Sequence, residues 1–334
     1  MKIKIGLLIL AIFASVVVLY VLYNTKNNTT TKNISVVHYK PLWETEKNDD
    51  KKYLYGIDIK QMYDTEGSMY VFDYKEKAIR KYGVEGDYIK KFGTIGQGPG
   101  EFVLPKCFCV DKNGFVYVAD IGKRKIEIFD KKGSVYTSFY IKPTYESATV
   151  LAKNMDTIYV ATTKEDKIIT AYNYKGEELF SFCDAKKEKT KFAQTFSNVV
   201  YMSYDDYGNI WVAYRAFPII RKYTPKGELI FEKELTSENI TKTRIDEKNN
   251  SYSKQTSFYY YLSDIIDANN YMYVSSNSEI MEIEMKSGDI KRIFQTSKER
   301  KDSAKSFNTL SFNKITGKFV FASGGILYTI TDGI

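Results

Sequence analysis

Five oxygen-bearing side chains recur at matching places along the chain and could together bind a hard cation. Each follows a short apolar run and opens a turn, as in the stretches DTEG, DKNG and DDYG. The five are Asp64, Asp111, Asp205, Asp267 and Asn313. A calcium ion takes about six to eight converging oxygen ligands. Because Asp or Asn at the first position of a turn commonly binds its own backbone instead, the sequence favours a turn role for these residues.

Other residues that could ligate a metal or attack a substrate are scarce. The single histidine, His38, excludes most zinc sites built from several histidines and argues against a Ser–His–Asp triad. Cys107, Cys109 and Cys183 are an odd number, and no second close pair completes a zinc site, so we predict three buried thiols. We therefore predict no catalytic residue, no metal and no cofactor, and we favour a function other than catalysis.

A glycine-rich stretch, GTIGQGPGEFVLP at residues 93–105, raises the question of a phosphate site. Phosphate-binding glycine loops open into a helix whose N-terminus meets the anion. Here one strand pattern ends at Phe92 and another begins near Lys106, and Pro99 removes a backbone donor. The stretch is therefore predicted to be a crossing between two sheets and not a nucleotide site.

The elements that must position these residues repeat along the chain. A short turn followed by an aromatic–valine pair ends at Val71, Val118, Val160, Val212, Val274 and Val320. After each of the first five copies, a glycine precedes a polar residue and an apolar run. Those glycines are Gly86, Gly133, Gly176, Gly227 and Gly288. In four of them a phenylalanine follows six residues later, an even step that keeps one facing on a strand.

This rhythm predicts four short antiparallel strands per repeat, which is the pattern of a propeller blade. In the second repeat we expect strands at 106–110, 115–119, 125–130 and 135–140. Six repeats predict an all-β fold, a six-bladed β-propeller, since closing the ring buries edges that an open array would expose. The last repeat lacks one strand, which we expect residues 34–39 to supply. The polar stretch 236–257 is interpreted as an inserted loop.

The second repeat resembles those of the NHL-type six-bladed β-propellers. The matching residues are GQGPGEF at 96–102, Pro105, VDKNGFVYVAD at 110–120, Arg124-Lys125-Ile126 and FDKKG at 129–133. The other repeats share the hairpin glycines, the aromatic–valine pair and the blade spacing. The resemblance covers about residues 35–334 and speaks to the fold, because this architecture hosts many unrelated activities.

The resemblance implies several activities. Some similar propellers are calcium-dependent lactonase-like hydrolases with a metal in the central channel, and this function remains the alternative. Relatives that form amidated peptides bind zinc through several histidines, which this chain lacks. Some NHL domains bind RNA on a basic face, but a net charge of +8 spread over a large surface is a weak sign of such a partner. We predict no nucleic-acid partner.

The N-terminal residues 1–24 predict a membrane segment. Two lysines precede an uncharged apolar run from Ile5 to Tyr23, which has about the length needed to cross a bilayer. The run is longer than that of a cleavable signal peptide, so we favour a signal anchor over a cleaved signal. Residues 25–34 would be a polar tether and residues 35–334 the propeller. The protein would be membrane-anchored and extracytoplasmic, at the cell surface, or secreted if cleavage occurs.

One face of the predicted disc combines the turns between second and third strands with the loops that connect blades. The candidate ligand-binding residues on this face are Asp73, Lys75, Asp120, Lys123, Arg124, Arg215 and Phe217. The stretch RAFP at 215–218 stands out because arginine beside an aromatic ring is common at binding surfaces. The sequence thus predicts a membrane-tethered binding or scaffold module for a protein, peptide or glycan.

Overall fold

The computed structural model arranges the chain as six blades of antiparallel strands around a ring. It describes residues 33–41, 61–73, 76–142, 148–163, 166–251, 260–276, 279–296, 307, 309–323 and 326–332. The chain divides between Ile34 and Ser35 into two units, and the blades belong to the second. The predicted membrane segment, 1–24, lies outside the described residues. None of the helices in the described ranges has the length and apolar character required to cross a membrane.

The N-terminal half of the propeller contains the first three blades. The chain enters through β1 (Asn33–Pro41). Blade 1 consists of β2 (Gln61–Tyr63), β3 (Met69–Asp73), β4 (Ala78–Tyr82) and β5 (Tyr88–Phe92). A short parallel pair follows, β6 (Thr94–Ile95) and β7 (Glu101–Phe102). Blade 2 consists of β8 (Pro105–Val110), β9 (Val116–Asp120), β10 (Lys125–Phe129) and β11 (Val135–Tyr140). Blade 3 consists of β12 (Ala148–Asn154), β13 (Thr157–Thr162), β14 (Lys167–Tyr172) and β15 (Glu178–Asp184).

The C-terminal half contains three further blades and two helices. Helix α1 (Lys191–Ser197) precedes blade 4, which consists of β16 (Val200–Tyr204), β17 (Ile210–Tyr214), β18 (Ile219–Tyr223) and β19 (Leu229–Glu234). Helix α2 (Glu238–Ser251) precedes blade 5, which consists of β20 (Asp264–Ala268), β21 (Tyr271–Ser275), β22 (Glu279–Glu284) and β23 (Ile290–Thr296). Blade 6 contains β24 (Thr309–Asn313), β25 (Lys318–Ser323) and β26 (Ile326–Asp332).

The N-terminal strand β1 completes the last blade. It pairs antiparallel with β26, with Tyr39 opposite Ile330, and its other edge is hydrogen-bonded to β23 of blade 5. The innermost strands contact one another around the whole ring, including β24 with β2. Both the six-bladed propeller and the closing strand predicted at 34–39 are therefore confirmed. The strand extends to residues 33–41.

Aromatic side chains of the outer strands pack against hairpin glycines of the next blade. The phenylalanine of β5, Phe92, is buried, and a Cβ added to Gly133 would lie 2.8 Å from its ring. Phe139 and Gly176 repeat this contact one blade further on, where the added Cβ would lie 2.5 Å from the Phe139 Cβ and 3.0 Å from its ring. Gly133 also adopts a φ of 74°, which L residues rarely take. The repeating glycine therefore serves both the hairpin and the joint between blades.

The stretch 236–257, predicted to be an inserted loop, instead contains α2. The hydroxyl of Ser237 accepts a hydrogen bond from the backbone N–H of Ile240 (3.1 Å) and donates to the buried carboxylate of Glu279 in β22. Asn239 Nδ2 donates to the same carboxylate at 3.0 Å. The polar sequence of α2 lacks an apolar stripe, so its anchoring to blade 5 could not be seen from the sequence.

Candidate functional site

The two faces of the propeller carry different connections. We call the turn face the one that carries the turns between first and second strands and between third and fourth strands. The interblade face carries the turns between second and third strands, together with the segments that connect blades. The predicted ligand-binding residues other than Lys75 lie on the interblade face, and Lys75 lies outside the described residues.

Asp120 is fully buried and organises the glycine-rich segment between blades 1 and 2. Its carboxylate accepts hydrogen bonds from the backbone N–H groups of Val103 (2.7 Å), Leu104 (2.9 Å), Gly122 (2.9 Å) and Lys123 (3.2 Å). A carboxylate that accepts four backbone donors stabilises both segments that contribute them. Asp120 is therefore positioned to join β9 to the segment before β8, and its side chain does not reach the surface.

Lys123 is engaged in the same joint. Its ammonium donates to the carbonyls of Gly98 (2.8 Å) and Glu101 (3.0 Å), and it forms an ion pair with Glu127 at 2.6 Å. Only 8% of its side chain is exposed. Asp73 is likewise buried and pairs with Arg80 at 2.7 Å. Because Asp73, Asp120 and Lys123 are engaged in internal contacts, the described candidates for ligand binding that remain are Arg124, Arg215 and Phe217.

The glycine-rich segment is a crossing, as the sequence predicted. It runs from β5 to β8, and its two short strands are parallel to each other, with Thr94 opposite Glu101. Phe102 is fully buried and lies 5.8 Å from the ring of Phe129 in blade 2, measured between ring centroids. The segment fills the joint between blades 1 and 2, and none of its residues begins a helix.

Arg215 and Tyr260 form a cation–aromatic contact on the interblade face of blade 4. The Arg215 guanidinium lies 4.4 Å from the ring centroid of Tyr260, whose side chain is 44% exposed. Arg215 Nε is buried without a hydrogen-bond partner, and no carboxylate in the described ranges pairs with this guanidinium. The backbone N–H of Tyr261 donates to the Arg215 carbonyl at 2.8 Å, which fixes the two segments together.

We define the Arg215 patch as Arg215, Phe217 and Tyr260. Phe217 is half-buried, and its ring lies 6.2 Å from that of Tyr214. Sequence reasoning selected Arg215 and Phe217 but missed Tyr260, because the contact joins the turn after β17 to the segment before β20, which is 45 residues further along the chain (215 to 260). Arg124, in the equivalent turn of blade 2, is exposed with a φ of 55° and belongs to a different part of the same face.

Helix α1 flanks the Arg215 patch. The helix is followed by Val199, whose carbonyl accepts a hydrogen bond from the backbone N–H of Arg215 at 2.9 Å. Phe192 on this helix is 58% exposed and packs on Phe196, with ring centroids 4.6 Å apart. The segment that leads into α1 is rich in lysine, with the sequence AKKEKTK at 185–191. This part of the interblade face is therefore aromatic and cationic.

Four of the five recurring residues, Asp64, Asp111, Asp205 and Asn313, have the turn role that the sequence favoured. Asp267 does not, because it lies within β20 and its carboxylate accepts only from Lys314 among the described residues. The Asp111 carboxylate accepts from the backbone N–H groups of Asn113 (2.8 Å) and Phe115 (2.9 Å) and from the hydroxyl of Tyr117 (2.9 Å). Asp64 and Asp205 accept the same pair of backbone hydrogen bonds in blades 1 and 4. Within the residues that the structure describes, no group of three or more Asp, Glu, His or Cys side chains is arranged to bind a metal.

Asp205 opens the turn after β16 in blade 4, whereas Asp267 lies within β20 of blade 5, and the two carboxyl groups differ electrostatically. Burial alone would raise the pKa of Asp205, but hydrogen bonds from Asn209, Lys222 and Trp211 outweigh burial and lower it below the usual value. Burial raises the pKa of Asp267, although Lys314 donates to its Oδ2 at 2.9 Å. The Asp267 Oδ1 is buried without a hydrogen-bond partner.

Comparisons with known proteins show the fold. No family model matches the chain. The propeller is similar to a protein named as exported from Bacteroides fragilis, with 14% identity over 86% of this chain and 84% of that chain and a TM-score of 0.57. It is also similar to virginiamycin B lyase from Staphylococcus aureus (12% identity, 90% and 89% covered, TM-score 0.52). The extracellular domain of a one-component system from B. thetaiotaomicron matches at 12% identity, over 85% of this chain and 35% of that chain, with a TM-score of 0.50.

At these identities the likeness establishes the β-propeller architecture, and the resemblance of the second repeat to NHL repeats stays a prediction. The similar structures include exported and extracellular proteins.

Proposed function

We propose that this protein is an extracytoplasmic binding module, tethered to the membrane by residues 1–24, whose interblade face binds an anionic group on a protein, peptide or glycan. The observation that carries the proposal is the Arg215 patch. Its guanidinium is half-buried, rests on a partly exposed aromatic ring and has no carboxylate partner in the described part of the chain.

The physical reason is the cost of a charge withdrawn from water. A half-buried cation that lacks an ionic partner is more stable when an anion joins it. Guanidinium groups bind carboxylates and phosphates through two parallel hydrogen bonds, and stacking on Tyr260 holds the planar group in place for that geometry. Exposed aromatic residues such as Tyr260 and Phe192 supply apolar contact area beside the charge.

Two observations support the location. The apolar run from Ile5 to Tyr23 has the length and flanking lysines of a signal anchor. The structural neighbours include exported and extracellular proteins. Protease added to intact cells should therefore digest the propeller of the full-length protein, which should fractionate with membranes. Complete protection of the propeller in intact cells would contradict an extracytoplasmic location.

Binding is tested with two polyanions of different backbone, poly-L-glutamate and polygalacturonate, immobilised at near-physiological salt. We expect the full-length protein to be retained by at least one of them and Arg215→Ala to weaken that retention about tenfold, which corresponds to about 1.4 kcal/mol. Arg244→Ala is the matched control, because this arginine lies in α2 and pairs with Glu234. Equal retention of the Arg215→Ala and Arg244→Ala variants, or no retention of the unaltered protein, would overturn the proposal.

A further inference from the structure

Two blades carry a buried lysine at the same position of their third strand. Lys81 in β4 lies opposite Tyr70, and Lys222 in β18 lies opposite Trp211. In blades 2 and 3 the equivalent residues are Ile128 and Ala171. Lys81 and Lys222 are only 8% and 7% exposed. A lysine is seldom buried to this degree without compensating partners, so its partners show what the position requires.

The partners within each blade are the same. Lys81 Nζ lies 3.3 Å from Asp64 Oδ2 and 4.8 Å from the ring centroid of Tyr70. Lys222 Nζ lies 3.0 Å from Asp205 Oδ2, and it lies 5.0 Å from the ring centroid of Trp211. Each ammonium therefore has one turn aspartate and one aromatic face. An ammonium has three donors, so two remain for other acceptors.

The next blade supplies a further acceptor in one case only. Lys222 Nζ donates at 2.9 Å to the carbonyl of Met285, in the turn between the third and fourth strands of blade 5. Among the described residues, Lys81 Nζ has no acceptor beyond Asp64. The corresponding turn of blade 2 stands away from it, and a cleft of about 460 Å³ opens between them. In the joint between blades 4 and 5, the corresponding place is closed by the contact between Lys222 and the Met285 carbonyl.

The lining of this cleft carries charges of both signs. Three lysines line it, Lys81, Lys112 and Lys131, opposed by the carboxylates of Glu66 and Asp130. Asp130 Oδ1 accepts hydrogen bonds from the backbone of its own turn. Asp64 also lines it, but both carboxylate oxygens already accept hydrogen bonds from other residues. Asn113 adds an amide and Phe115 an aromatic wall. A volume of this order suits a molecule of about the size of a sugar or an amino acid.

We propose that the cleft between blades 1 and 2 binds a small carboxylate-bearing molecule. One carboxylate oxygen takes the place that the Met285 carbonyl occupies beside Lys222, and it accepts a hydrogen bond from Lys81. Lys112 and Lys131 attract the anion from the rim, Asn113 donates to or accepts from a polar substituent, and Phe115 contacts an apolar face of the ligand. This site lies on the turn face, opposite the Arg215 patch, and does not depend on the function proposed for that patch.

The test uses ligand-observed NMR and calorimetry on the full-length protein with D-glucuronate and N-acetylneuraminate as probes, D-glucose as the uncharged control and inorganic phosphate as a simple anion. We expect at least one of the two carboxylates to bind with a Kd of about 1 mM or tighter, and glucose not to bind. Lys81→Met should weaken that binding about tenfold. Lys222→Met is the matched control, because it removes the same buried ion pair from the closed joint and should leave binding unchanged.

A second pair of variants keeps the test independent of folding, because both residues are exposed and lie in one turn. Lys131 lines the cleft, whereas the neighbouring Lys132 does not. We expect Lys131→Ser to weaken carboxylate binding about threefold and Lys132→Ser to leave it unchanged. Failure of both carboxylates to bind at about 20 mM, binding of phosphate alone, equal binding of glucose, or equal effects of the two serine variants would each overturn the proposal.

Discussion

The joint between blades 1 and 2 and the joint between blades 4 and 5 are built from the same repeat but are closed on opposite faces. On the interblade face, Asp120 and Lys123 hold the glycine-rich segment in the first joint, whereas Arg215 lacks a carboxylate partner in the described part of the second. On the turn face, the joint between blades 4 and 5 is the closed one and the joint between blades 1 and 2 is the open one. Lys222 reaches the next blade, whereas Lys81 borders a cleft.

The difference between the two joints shows that position in the repeat does not decide whether a charged residue is structural or available to a ligand. The neighbouring segment decides it, because that segment either supplies hydrogen-bond acceptors to the charged residue or does not. A cation withdrawn from water without enough acceptors is costly, so an arriving anion gains most at those places. We therefore predict different effects on stability and on binding for substitutions in the two joints.

The largest expected effect is on the closed turn face of blades 4 and 5. Lys222→Met should lower the free energy of unfolding by about 3–5 kcal/mol, because it leaves the Asp205 carboxylate buried without its cation. Lys81→Met should cost less, about 2 kcal/mol, since the adjoining cleft admits water to Asp64. Urea unfolding of both variants measures the difference. Equal losses would show that the two joints are equally closed.

Asp120→Ala tests the closed interblade face of blades 1 and 2. It should lower the free energy of unfolding by about 3 kcal/mol, because four backbone N–H groups lose their acceptor. It should also make residues 93–104 sensitive to protease. Asp130→Ala, which removes a carboxylate that accepts from two exposed backbone donors, should cost about 1 kcal/mol or less. A similar cost for both would contradict the anchoring role of Asp120.

The dependence of stability on pH separates Asp205 from Asp267. The lowered pKa of Asp205 means that its contribution is present above the unfolded value of 3.8 and is lost as the pH falls through the lower folded value. The raised pKa of Asp267 has the opposite sign, so its protonation stabilises the fold as the pH falls toward 3.8.

Thermal unfolding between pH 7 and pH 3 measures both effects. Asp205→Asn should be destabilising at pH 7 and less so at pH 3. Asp267→Asn should be close to neutral or stabilising at pH 7, and it should remove the gain at low pH. The same acid response from the two variants would refute the electrostatic contrast between these two carboxyl groups.

The smallest expected effect on stability is at the open interblade face. Arg215→Ala should change the free energy of unfolding by less than about 1 kcal/mol, because the guanidinium forms no ion pair in the described ranges and mainly contacts the Tyr260 ring. Differential scanning calorimetry is sufficient for this comparison. A loss as large as that of Asp120→Ala would mean that Arg215 is a structural residue of the joint, and the Arg215 patch would lose its status as a candidate site.

The blades could be predicted from the sequence because their determinants are local and periodic. The hairpin glycines, the aromatic–valine pairs and the phenylalanine six residues after four of the five glycines identified strands to within one or two residues. In blade 2, for example, strands were expected at 106–110 and 135–140, and they are found at Pro105–Val110 and Val135–Tyr140. Even the N-terminal closing strand followed from counting the strands of the last repeat.

The roles of individual charged residues could not be predicted in the same way. Asp120 ends β9 and Lys123 lies in the turn that follows, where polar residues are usually solvated, and only the crossing segment that covers them makes them structural. Lys81 and Lys222 occupy one position of the repeat, yet their difference depends on how closely the next blade approaches. Tyr260 meets Arg215 through a tertiary contact that no sequence period encodes.

The position of β1 between β23 and β26 has a consequence for biosynthesis. β1 is the first strand of the propeller to leave the ribosome, but it cannot pair with β26 until the chain has passed residue 326, which is 285 positions beyond residue 41. Until then the edge of β1 that pairs with β26 stays unpaired, even when β23 already covers the other edge, and an unpaired edge favours association with other chains. A chain that ends before β26 keeps that edge exposed. Completion of the ring thus depends on synthesis through β26, since only then are both edges of β1 covered.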